Sequence, residues 1–249
     1  MSLDKKVFNH DAFLVAYTAK VWRMVEDQED AATLSIVDTM DEQALLEQLL
    51  DEVKPPYREG TQGMSYLFKT AFRYPPLRHG SRFGTRLMPS YFYASEKSIT
   101  AQAETAYYRF VFLHDMQTPY EKEIDSKHSM FSATVSAKRC LDLASSPYER
   151  YREQLTDPVN YQFSQAVGSW AVNQREVQLI RAESARLSST YNLAIADPAV
   201  IRSRQPNKIE SWLCRTTNNS VSFSSRQAIG VTTFTLDDFS VDGVLPRPA

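Results

Sequence analysis

FRYPPLRHGSRFGTRLMPSYFYASEKSITAQAETAYY, residues 72–108, places Arg73, Arg78, Arg82 and Arg86 beside a cluster of tyrosines and then Glu104 inside a run rich in Ala, Ser, Thr and Gln. Positive charge, aromatic faces and an acid in that order suit a phosphorylated, ring-bearing ligand. The stretch reads as strand, loop, strand, helix. Residues 71–74 are expected to be extended, because a proline pushes the residue before it out of the α region. Gly80 and Gly84 bracket Ser81, Arg82 and Phe83 in a loop where backbone can approach a ligand closely. Residues 90–94 are aromatic and β-prone, with Tyr91 and Tyr93 on one face and Phe92 on the other. Ser98 is the expected N-cap of a helix over 99–113, on which Ala101, Glu104, Thr105 and Tyr108 share a face.

Working outward toward the N-terminus, residues 11–25 suggest a short helix running into a strand around Trp22 and Arg23. Thr39-Met40-Asp41-Glu42 has the pattern of a capping box. It starts a helix with Leu45, Leu46, Leu49, Leu50 and Val53 on one side, stopped by Pro55-Pro56. That helix is expected to act as a buttress. Toward the C-terminus, residues 130–135 alternate as a strand, and Ser146-Pro147 and Asp157-Pro158 each look like an N-cap followed by proline at the first helical position. A helix after Asp157 carries an apolar stripe of Phe163, Val167, Trp170 and Ala171. Residues 177–180 and 192–196 read as strands, as do 207–215, 220–225 and 231–236; the ending VLPRPA should be loose.

The 249 residues, 43% apolar and 23% charged, are expected to build one domain: an N-terminal extension over 1–65, a core over 66–200 and C-terminal strands and a tail over 201–249. A net charge of −2 gives no global attraction to nucleic acid or anionic lipid, so phosphate must be met by local arginines. Cys140 and Cys214 stand outside any metal or redox spacing and read as reduced thiols. No membrane partner and a cytoplasmic location are expected, since no apolar run reaches ~18 residues and no signal peptide is visible at the start.

Nucleotide-binding glycine motifs, HExxH and GxSxG do not occur. His10, His79, His114 and His128 are scattered, so no metal is expected, and a triad of Ser184 with a histidine has no motif behind it. Singly, each remaining residue has an ordinary reading: an arginine stem packed on a ring, a solvated helical glutamate, a core tyrosine. As an ordered set they mean more. Tyr93-Ala94-Ser95-Glu96 followed by Ala101-Gln102-Ala103-Glu104 resembles the strand-to-helix element of the RES domain, named for Arg, Glu and Ser. Gly80-Ser81-Arg82-Phe83 is similar to that family's Gly-Gly-Arg-Trp segment. The run from Arg181 to Arg186, with Asn192-Leu193-Ala194, is similar to its late Tyr-x-Ser-x-Arg strand and the Asn-Leu-Ala strand after it.

The resemblance implies an α+β fold with an ADP-ribosyltransferase-like split β-sheet core and flanking helices. It also implies degradation of NAD+ by cleavage of the nicotinamide–ribose bond, with phosphate or water as acceptor, by the toxin of a toxin–antitoxin pair. NAD+ is then substrate, inorganic phosphate a co-substrate in the phosphorylase form, and no cofactor is expected. A Xre-type helix-turn-helix antitoxin is the expected partner. Glu104, Arg82, Tyr93 and Ser184 take the catalytic roles, and Arg73, Arg23, Tyr91 and Arg186 substrate binding. Arg23 and Arg73 compete for the family's early arginine. The alternatives are a mono-ADP-ribosyltransferase acting on a protein, and a silent module that binds a nucleotide or partner.

Overall fold

The computed structural model describes residues 3, 8, 13–27, 37–76, 78–118 and 122–247. The chain is α+β, and the described residues form eight strands in one sheet with helices flanking it. Strand β1 is Val15–Glu26, β2 Phe92–Ser95, β3 Ile124–Asp142, β4 Leu179–Glu183 and β5 Tyr191–Ile195; β6, Lys208–Thr216, β7, Ser220–Ser224, and β8, Val231–Thr235, follow. The order across the sheet is β1-β2-β5-β4-β3-β6-β7-β8, and β1 also pairs with β3. The pairings therefore close a circuit through β1, β2, β5, β4 and β3.

The long strand β3 organises this circuit. One edge pairs antiparallel with β1 from Cys140 opposite Val15 to His128 opposite Glu26. The other edge is shared: residues 124–132 take β6 antiparallel, and Cys140–Asp142 take β4 in parallel. Between them, among the described residues, the edge is bridged only at Val135–Ile201, which splits the sheet. On the far side of the circuit β1 meets β2 at one position, Trp22 opposite Ser95. Strands joined at a single point can splay, and the splay opens a cavity.

Helices α1, Met40–Glu52, α2, Tyr66–Lys69, α3, Ser98–His114, α4, Arg152–Thr156, and α5, Gln162–Arg175, complete the fold. One apolar cluster joins α5 (Phe163, Val167, Ala171) to Phe83, Tyr91 and the β4–β5 face. A second lies inside the strand circuit around Phe68, Phe92 and Phe131, and a third joins α3 to β7 around Tyr107, Phe110 and Phe223. Each large side chain so buried contributes roughly 1.5–3 kcal/mol.

Several local expectations are revised. No helix precedes β1 among the described residues: Val15–Glu26 is strand throughout because β3 pairs it along its length, and residues 11 and 12 lie outside the described residues. The α1 capping box forms as expected, but Leu45, Leu49 and Val53 stay exposed, and only Gln43 of the helix is buried. Residues 71–74 are not extended, since Thr70–Phe72 form a 3-10 turn and Arg73 is αR; the proline restriction reaches only its immediate predecessor. Helix α3 begins at Ser98 with Lys97 as N-cap, one residue earlier than expected. Asp157 does not cap α5; its carboxylate accepts from Val159 and Asn160 N–H in a turn, and Tyr161 is the N-cap. Ser146-Pro147 is a cis bond leading into a 3-10 turn. The C-terminal tail is tied down, with Leu245 buried and the Pro246 carbonyl accepting from Tyr107.

Candidate active site

The splay of β1 from β2 leaves a cavity of about 390 Å³. Its walls are Trp22, Arg23, Met24 and Glu26 of β1, Tyr93 to Ser95 of β2, and Asn192 to Ala194 of β5, with Ala101, Glu104, Thr105 and Tyr108 of α3 on one side. The helical spacing read from the sequence puts these four on one face, and all four reach the cavity.

Glu104 is held by residues distant in sequence. Ser184 Oγ donates to its Oε1 at 2.7 Å and Asn192 Nδ2 donates to the same oxygen at 2.5 Å. Asn192 is oriented in turn by Ser95, whose hydroxyl donates to Oδ1 at 2.6 Å. Ser184 is buried, and its Oγ also accepts from the Arg186 and Leu187 N–H groups at 3.1 and 3.2 Å. Its hydroxyl is therefore committed to Glu104 and no histidine bonds it among the described residues. Oε2 of Glu104 accepts no bond among the described residues.

The Arg82 loop is built from short-range geometry. Ser81 N–H donates to the Gly84 carbonyl at 2.7 Å, and Gly80 has φ +76°. A Cβ on Gly80 would sit 2.4 Å from the Gly84 carbonyl oxygen, so the glycines close the loop on itself rather than making room for a ligand. The loop then rests on α5, where a Cβ on Gly168 would fall 1.9 Å from the Phe83 carbonyl oxygen. Gln165 Nε2 donates to the His79 and Ser81 carbonyls at 2.9 and 3.1 Å. Tyr93 completes the support: its hydroxyl is 2.8 Å from Ser81 Oγ and accepts from Phe83 N–H at 3.1 Å. Burial pushes the Tyr93 phenol up to about 12, so it stays protonated at neutral pH.

Two arginines reach the cavity. Arg82 Nη1 donates to the Asp157 carbonyl at 2.5 Å, and its guanidinium lies 3.9 Å from the Tyr161 ring centroid. Arg23 Nη1 donates to the Tyr93 carbonyl at 2.6 Å and stacks 4.9 Å from the Phe92 ring centroid. Its Nε is buried without a partner, and burial holds the group down at about 10.

Other candidates fall elsewhere. Arg73 lies outside the cavity; its Nε donates to the Pro55 carbonyl at 2.5 Å and its Nη1 pairs with Asp51 at 3.1 Å, tying the 3-10 turn after α2 to the end of α1. Tyr91 is turned into the apolar cluster on α5, where its hydroxyl donates to the Gly168 carbonyl at 3.3 Å. Arg186 is buried behind the cavity, donating to the Tyr161 hydroxyl at 2.9 Å. Arg78 and Arg86 are exposed. Cys140 and Cys214 are buried free thiols.

Sequence reasoning passed over Asn192, Ser95, Tyr161 and His128 as site residues. Asn192 carries two signals, an asparagine inside an otherwise apolar strand and the resemblance of Asn192-Leu193-Ala194 to the family's Asn-Leu-Ala strand; Tyr161 and His128 carry none, because contacts across the fold define their position.

The RES domain profile matches residues 55–216. The chain belongs to the RES-domain family. Within this RES domain the match spans the Arg82 loop, Glu104, Ser184 and Asn192, and leaves β1 with Arg23 before it. A comparison with curated proteins finds no match. Among solved structures, this RES domain is similar to a chain in the crystal structure of the M. tuberculosis MbcT-MbcA toxin-antitoxin complex. The likeness has a TM-score of 0.47 and 14% identity, and covers 80% of this chain and 86% of that one. No helix of the described residues is long and apolar enough to cross a membrane.

Proposed function

We propose that this RES domain degrades NAD+ by breaking the nicotinamide–ribose bond. The observation that carries the reading is the Glu104 carboxylate, fixed at Oε1 by Ser184 and Asn192, with Oε2 accepting no bond among the described residues, in a cavity walled by Arg23 and Arg82. As the bond between C1′ and the pyridinium nitrogen breaks, its electron pair goes to nicotinamide, which leaves neutral and needs no acid. Positive charge grows on the ribose. A carboxylate oriented before the reaction, facing that charge or a ribose hydroxyl, stabilises the transition state more than the ground state. An oxygen of phosphate or water then supplies the pair to C1′, and water releases its proton to solvent. Arg23 and Arg82 bind the pyrophosphate, for which planar, permanently charged donors are suited, and Tyr93 walls the nicotinamide side.

Family membership supports a toxin role, neutralised by a Xre-type helix-turn-helix antitoxin. Growth arrest on expression, relieved by co-expression of such a partner, is the expected outcome; arrest that persists contradicts it. The enzymatic test is chromatography of the products of NAD+ with and without inorganic phosphate. Free nicotinamide with ADP-ribose, or with its 1″-phosphate when phosphate is present, supports the reading. Intact NAD+ refutes it, and ADP-ribose mass on a protein acceptor assigns the chemistry to transfer.

A further inference from the structure

From the cavity wall into the interior, two guanidinium groups alternate with two phenol rings. Arg82 lies 3.9 Å from the Tyr161 ring centroid. The Tyr161 hydroxyl accepts from Arg186 Nη2 at 2.9 Å, and Arg186 itself lies 3.4 Å from the Tyr107 centroid. The Tyr107 hydroxyl donates at 2.7 Å to the Pro246 carbonyl, in the segment that follows the RES match. Tyr161 and Tyr107 are both buried. Among the described residues no carboxylate pairs with Arg82 or Arg186; the nearby Glu183 is occupied by Arg152 through two contacts of 2.5 and 2.7 Å.

This choice of partners matters electrostatically. A carboxylate would fix an arginine but cancel its charge. A ring face or a phenol oxygen fixes the guanidinium and leaves the charge available, because the ring offers only a quadrupole. The segment before α5 is devoted to that task, since Leu155 and Asp157 carbonyls and the Tyr161 ring all meet Arg82.

We propose that Tyr161 is a positioning residue: its ring, held from behind by the Arg186 guanidinium at its hydroxyl, sets Arg82 as an uncompensated cation for a phosphoryl group of the ligand, and the C-terminal segment anchors this stack through Tyr107. This rests on reading the cavity as a site for a phosphorylated nucleotide. Tyr161 lines the cavity, and the role assigned to it is exerted through Arg82.

The test is calorimetric titration of the full chain with inorganic pyrophosphate and, separately, with nicotinamide. Tyr161→Phe keeps the ring under Arg82 and loses the hydroxyl, so pyrophosphate affinity should fall about threefold, and Tyr161→Leu should lose at least about tenfold. Nicotinamide affinity should stay within about twofold in both, and KM for NAD+ should rise more than kcat falls. Melting curves report folding, and the conservative Tyr161→Phe carries the test if Tyr161→Leu does not fold. Equal pyrophosphate binding by wild type and variants, or none by wild type, overturns the proposal. NAD+ left intact by wild type overturns the catalytic reading alone, because the pyrophosphate titration does not depend on turnover.

Discussion

Asn192 Nδ2 sits 2.5 Å from Glu104 Oε1, joining β5 to α3 across 88 residues of sequence. The bond does two things. It satisfies one carboxylate oxygen beside the cavity, and it fixes the plane of the carboxylate, whose other oxygen accepts no bond among the described residues. Asn192→Ala removes that orientation without removing the acid. A fall of about tenfold in kcat with a smaller change in KM is expected, read from initial rates of nicotinamide release.

Ser184 carries a heavier structural duty. Its hydroxyl serves Glu104 and also accepts two backbone N–H groups of its own turn. Ser184→Ala leaves those donors buried without an acceptor, so a stability loss of about 1–3 kcal/mol should accompany the drop in kcat. Chemical denaturation of the variant measures the first and steady-state kinetics the second.

The two candidates for the early arginine stand in different places. Arg23 reaches the cavity, while Arg73 ties the 3-10 turn after α2 to the end of α1 through Asp51 and Pro55. Arg23→Ala should lower kcat/KM for NAD+ by about 10- to 100-fold. Arg73→Ala should leave it within about twofold and instead speed hydrogen exchange in α1.

Arg23 also sets a pH dependence. Burial lowers its pKa from the usual arginine range to about 10, so the cation is present at neutral pH and lost as pH rises through that value. The pH profile of kcat/KM should show an alkaline limb near 10 that Arg23→Ala abolishes. The same shift works against folding at neutral pH, because the unfolded chain holds the proton more tightly. Arg23→Met is therefore expected to melt at a higher temperature while losing activity.

His128, buried against Phe223 and lining the cavity, has its pKa lowered by burial. The unfolded chain takes up this proton first as pH falls below ~6.5, so stability is retained above that value and lost below it. His128→Gln should flatten the fall in melting temperature between about pH 6.5 and 5.

What the sequence discloses follows the range of the forces involved. The helical face carrying Ala101, Glu104, Thr105 and Tyr108 is legible because a period of 3.6 is local, and so is the α1 capping box. The Gly80–Gly84 loop is legible as a turn, yet its glycines look like ligand clearance until the Gly84 carbonyl is seen to fill the space. The start of β1 is misread because its strand state comes from pairing with β3, over 100 residues later. Tyr161 looks like any loop tyrosine, since its contacts are with two arginines from distant segments.

Cleavage of NAD+ by this site requires the Glu104 carboxylate. Wild-type protein and Glu104→Gln, matched for melting temperature, are incubated with NAD+ and nicotinamide is quantified by chromatography over time. Release by wild type and a rate lower by at least about 10²-fold in the variant is the predicted result; equal release by the two proteins, or none by wild type, contradicts it.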